Sequence, residues 1–130
     1  MGKQRPGLLT LFIVLAVIQA ISGGLHYFLI FLGVIPVDVE ITRVTEFAYP
    51  DIIVGVIPSL IGACGLWRLK LWGWMLTLVS SGGYLHGVIA SLTYSIIKSE
   101  YRSMNLVSIY FILLSVLLIS YLWQKRELFN

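Results

Sequence analysis

The sequence is poor in charge. Only 12% of its 130 residues are Asp, Glu, Lys or Arg, against 58% hydrophobic, where soluble domains carry about 25% charged residues. A soluble chain of this length cannot hide that much apolar surface in one core. Intrinsic disorder is excluded too, because it needs low hydrophobicity and high charge. Cysteine is nearly absent. Cys64 stands alone, so no intrachain disulfide and no CxxC redox pair can form. Membrane thiol oxidoreductases that work through a cysteine pair are thereby excluded, and Cys64 reads as a small buried hydrophobe. There is no long basic run and no basic patch interleaved with aromatics, so nucleic acid is not an expected partner.

What is present is long apolar runs. A helix needs about 20 apolar residues to cross the hydrocarbon core. The runs predict four spans, at about 7–35, 52–67, 71–97 and 104–123, with an outer loop at 36–51. The whole chain, 1–130, reads as one all-α unit, an integral membrane four-helix bundle. The first run continues well past the faint cleavage pattern Ala20-Ile21-Ser22, so it reads as a retained span, longer than a signal h-region. Gly2 does not open a myristoylation motif, since Pro6 stands where Ser or Thr is required.

Lysine and arginine set the orientation. Lys3, Arg5, Arg68, Lys70, Lys125 and Arg126 fall on one side, and Arg43, Lys98 and Arg102 on the other. Both termini are therefore expected in the cytoplasm of a multi-pass cell-membrane protein. Trp67, Trp72, Trp74 and Trp123 lie near the same ends of their spans, where an amphipathic ring suits the headgroup level. In the outer loop, Val37, Val39 and Ile41 alternate with polar residues as in a strand. Glu40, Arg43 and Glu46 keep the i, i+3 spacing of an interfacial helix, which is slightly preferred. Pro50 and Asp51 read as the opening of the second span, with Asp51 at the positive end of the helix dipole. A cation or proton site at Asp51 is the sharper alternative.

Small residues predict the packing. Gly55, Ser59 and Ala63 recur every four residues, and Gly83 and Gly87 form GxxxG. Such spacing lets helix backbones approach closely. With Gly82, Gly83 and Gly87 on more than one side, the third span is expected to touch at least two helices. Pro58 removes the helical donor of the Val54 carbonyl, which predicts a kink.

The stretch Ser22-Gly23-Gly24-Leu25-His26 is echoed by Ser81-Gly82-Gly83-Tyr84-Leu85-His86. The echo raises the reading of two parallel helical-hairpin repeats, with chance as its competitor. It places His26 and His86 at comparable depth in the outer half of the bilayer. Ionisable groups there are costly and default to function. Facing imidazoles can clamp a haem iron, hold a metal with another ligand, or bond a quinone head. The plainer alternative is a neutral ring bonded locally to Ser22, Tyr27, Tyr84 or Ser91. Glu46 and Asp51 are the carboxylates at the same outer surface. No Asp, Glu or Lys lies at mid-depth, as proton-coupled carriers usually require. Gln19 is the one strongly polar central group, and it reads as an interhelical hydrogen-bonding residue.

No catalytic constellation, metal-ligand run or phosphate-cradling loop can be assembled. The leading expectation is a protein without catalytic activity and without a cofactor, an accessory or packing subunit of a larger membrane complex or a small homo-oligomer. Its partners are then the lipid bilayer and other membrane subunits or itself. Two alternatives remain: an electron-transfer module holding haem b, a metal or a quinone at His26 and His86, and a small-molecule or lipid transporter.

Overall fold

A computed structural model describes residues 5–36, 41–97 and 104–129. It is all-α, with no strand among the described residues. Helix α1 spans Gly7–Phe31. Helix α2 (Ile41–Pro50), a π-helical segment (Asp51–Val56) and helix α3 (Ile57–Trp67) follow one another without a break. Helices α4 (Leu71–Ile97) and α5 (Met104–Gln124) complete a four-rod bundle, and a 3₁₀ turn (Arg126–Phe129) closes it. Three helical stretches, Gly7–Phe31, Ala48–Trp67 and Leu71–Tyr94, are long and apolar enough to cross a membrane, and Ser108–Gln124 is a shorter apolar helix. Large apolar side chains such as Leu11, Ile18, Val79, Leu113 and Leu117 stand exposed around the outside. That arrangement suits a hydrocarbon solvent and not water.

The first helix ends earlier than the apolar run. Gly33 takes φ +72°. Its N–H bonds the Ile30 carbonyl, and the Val34 N–H bonds the Leu29 carbonyl. This Schellman pattern closes α1 at Phe31 although the residues up to Ile35 remain apolar. The α3 end repeats the pattern with Leu69 at φ 52°, its N–H on Leu66 and the Lys70 N–H on Gly65. A left-handed leucine is unfavourable for its Cβ. Here the side chain packs against the buried cluster, and that burial offsets the backbone cost.

The second rod differs from expectation at its start. Helix runs from Ile41, so Pro50 and Asp51 lie inside it rather than opening it; Pro50 is itself helical, at φ −59° and ψ −43°. Pro58 does not simply kink the rod. Its ring crowds the Val54 carbonyl and offers no N–H, and the preceding turn widens into the π segment, where the Ile57 N–H reaches back to Ile52. Residues 37–40, including Val37, Asp38, Val39 and Glu40, lie outside the described residues, as do Lys3, Lys98 and Arg102.

Helix α4 packs against both α3 and α5, and α1 packs against α3 and the π segment. The tightest contact is between α3 and α4. A Cβ at Gly65 would overlap the Gly73 backbone, and one at Gly62 would fall 2.6 Å from Thr77 Oγ1. Buried Thr77 and Ser80 return their hydroxyls to the helix's own carbonyls, at Gly73 (2.8 Å) and Thr77 (3.0 Å), so this polar seam is satisfied internally. The apolar core sits at one end of the bundle, where Leu9, Ile13 and Ala16 of α1 meet Ala63 and Leu66 of α3, Leu118 and Leu122 of α5, and Phe129. At this end Trp74 Nε1 donates to the Leu122 carbonyl at 2.8 Å, and its ring stacks on Trp123. Trp74→Phe removes the donor and keeps a ring. It is expected to lower unfolding free energy by about 1 kcal/mol, read by thermal unfolding in detergent. Unchanged stability would show that the bond contributes nothing.

Candidate polar site between α1, α4 and the π segment

Asp51 is held by two neighbours. Tyr27 of α1 donates its hydroxyl to Asp51 Oδ2. The other oxygen, Oδ1, lies beside Gly87 of α4, where an added Cβ would stand 2.9 Å away. A larger residue than glycine there would displace the carboxylate. Because Asp51 is not at a helix start, the dipole reading gives way to a lateral one, in which the acid bridges helices.

Tyr84 reaches across from α4. Its ring lies against Gly55, within 3.2 Å of where a Cβ would be, and its hydroxyl comes 3.9 Å from the same point on Gly23 of α1. The Tyr84 hydroxyl is buried and unpartnered. Val54 lies 3.0 Å from where a Cβ on Gly83 would be, and Val56 packs beside Gly23 and Gly24. Four of the glycines picked out by spacing therefore converge here: Gly23, Gly55, Gly83 and Gly87. They make room for two phenols and one acid beside the side chains of Val54 and Val56.

The remaining candidates lie elsewhere. Ser59 donates to the Ala16 carbonyl at 3.4 Å, and Ala63 belongs to the apolar core, so both face α1. Gln19 is also buried, and its Nε2 has no partner. Gly82 has nothing within 4 Å of its Cβ position. Glu46 is exposed, and so is Cys64, against the expectation of burial. It lies on the outer face of α3, where solvent would be lipid.

The histidines are not placed alike. His26 is half-buried, with its ring edge-on to Tyr27 at 5.9 Å. His86 is exposed. Two residues along a helix are about 200° apart, so α4 turns Tyr84 towards α1 and His86 away from it. The echoed segments differ in surroundings as well: Ser22 is exposed and Ser81 buried. Among the described residues no group of three or more His, Cys, Asp or Glu converges. Spacing alone did not reveal the Tyr27–Asp51 pair, because its members come from different rods. The available signal was Asp51 itself, an acid close to the start of an otherwise uncharged run.

The chain matches no protein-family model, no curated protein sequence and no solved structure.

Proposed function

We propose that this is a multi-pass protein of the cell membrane, with both termini cytoplasmic, that catalyses no reaction and serves as a packing subunit of a larger membrane assembly or of a homo-oligomer. The observation that carries the reading is the outer face of α4. Gly82 has open space beside it, and His86, one turn on, is exposed. His86 lies about 22 Å along a helix that is long enough to cross the bilayer. An imidazole facing lipid at that depth is costly, and a glycine below it admits a second backbone closely. A docked helix would shield the ring and fill the space. The orientation is supported by the excess of Lys and Arg on one side and by the tryptophans at the same end.

The test is cross-linking in native membranes with Cys64→Ser as background. Gly82→Cys is expected to give a product of higher mass, either with itself or with another membrane protein. The same substitution at outward-facing Ile18 is not. A monomer with bare Gly82→Cys would overturn the reading. Thiol labelling of Thr42→Cys from outside and of Leu69→Cys from the cytoplasm checks the orientation. The buried and unpartnered Tyr84 hydroxyl favours a second reading as a small-molecule transporter. The two part at Tyr84→Phe, which a packing role tolerates and a transport role does not.

A further inference from the structure

We propose that the groove between α1 and α3, at the end of the bundle that holds the apolar core, binds one anionic glycerophospholipid, with an acyl chain in the groove and the phosphate between Arg5 and Arg68. The proposal rests on the membrane reading above but not on the α4 docking face, which lies elsewhere.

The groove is open-sided, with a volume of about 470 Å³, and its walls are Ile13 and Val17 of α1 and Leu60 and Cys64 of α3. Its shape follows from side-chain size. Leu60, Cys64 and Trp67 share one helix face at i, i+4 and i+7 spacing, so a short side chain stands between two large ones. The resulting notch is about 10 Å long, at 1.5 Å per residue. Its lining is almost wholly apolar until the mouth, where Trp67 and Arg68 complete it.

The mouth is cationic and fixed. The Arg5 guanidinium lies 3.5 Å from the centre of the Trp67 ring, a contact that holds the charge at the height of the indole. Arg5 Nε is buried and has no hydrogen-bond partner. The Arg5 guanidinium on the Trp67 ring and Arg68 at the mouth set two positive charges at one end of an apolar slot, a combination that suits a phosphate or carboxylate arriving with a hydrocarbon tail. A phospholipid of the same leaflet supplies both, and basic pockets between spans are suited to such headgroups. A zwitterionic lipid would fit the notch equally well but would bring no net negative charge, so the chemistry selects anionic lipids.

The experiment is native mass spectrometry of the full chain released from nanodiscs of dioleoyl phosphatidylglycerol and dioleoyl phosphatidylcholine in equal parts. One retained phosphatidylglycerol is expected, with a preference over phosphatidylcholine that falls about fivefold on losing either arginine and about thirtyfold in Arg5→Gln/Arg68→Gln. Cys64→Trp, which fills the notch and leaves both charges, is expected to reduce retention of either lipid. For the unmodified protein, raising salt to ~1 M is expected to shrink the preference, since the Debye length drops to about 3 Å; this arm needs no variant to fold. Equal retention of the two lipids, or a preference untouched by salt and by the double substitution, overturns the proposal. So does an oxidative Cys64–Cys64 product that excludes lipid, which would make the groove a contact between copies. Failure of the membrane reading is recognised separately, because the protein would then float with vesicles of neither composition.

Discussion

Gly73→Val is expected to break the α3–α4 hairpin and with it the bundle. A Cβ at Gly73 would lie inside the Gly65 and Leu66 backbone, not against a movable side-chain tip. Neither rod can yield without disturbing the turn at Arg68–Lys70, where the Lys70 N–H bonds the Gly65 carbonyl at 2.8 Å. Overpacking of cores costs typically 1–3 kcal/mol, and a clash with backbone belongs at or above the top of that range, so a loss of ~3 kcal/mol or more is expected. Gly82→Ala in the same helix is the control. It meets open space, and trading glycine for alanine in a helix interior gains roughly 0.5–1 kcal/mol. Thermal or SDS unfolding of both variants gives the comparison. Equal stability of the two would show that the Gly65–Gly73 approach is not a constraint.

Tyr27→Phe should have the next largest effect. It deletes the hydroxyl that serves Asp51 and leaves a half-buried carboxylate without that donor. Interhelical hydrogen bonds within membranes average only ≈ 0.6 kcal/mol. Bonds to a charged group are stronger, about 1.5–3 kcal/mol, and the isolated charge makes this the relevant class. A loss of about 2 kcal/mol is expected in the Asp51 background. In the Asp51→Asn background, where no full charge is stranded, Tyr27→Phe should cost well under half as much. A double-mutant cycle by chemical unfolding reads the difference as a coupling energy, which contacting residues show at about 0.5–3 kcal/mol. Coupling near zero would mean that the pair does not tie α1 to the π segment.

The helices were legible because they coincide with long uncharged runs, though only three of them are long and apolar enough to cross a membrane and the fourth is a shorter apolar helix. The third run coincides with α4 and the fourth nearly so with α5. Where the reading fell short, the deciding factor was a neighbour that spacing cannot show. Gly55, Ser59 and Ala63 look like one seam, yet Ser59 and Ala63 face α1 while the close crossing with α4 uses Gly62 and Gly65. Gly65 and Gly73 flank a turn rich in Arg, Lys and Trp, and those residues drew the reading to orientation and away from packing. Asp51 was noticed, but its partner Tyr27 belongs to another rod. His26 and His86 were paired by an echo in sequence, and the phase of α4 places His86 on the far side from Tyr84.

The Gly65–Gly73 crossing also bears on the order in which the bundle assembles. Closing a loop costs less entropy when it is short, and contacts between distant parts of a chain form late. Gly65 and Gly73 are separated by little more than a turn of backbone, whereas Leu9 must find Leu122 and Phe129 from the opposite end of the chain. The α3–α4 pair is therefore the cheapest tertiary unit to make, and it can form before α5 exists as a neighbour. Helix α1 is made before the other described helices, yet its core contacts are completed last, by residues of α5 and the turn that follows it. Until then its Leu9–Ala16 surface has only lipid and α3 to lie against.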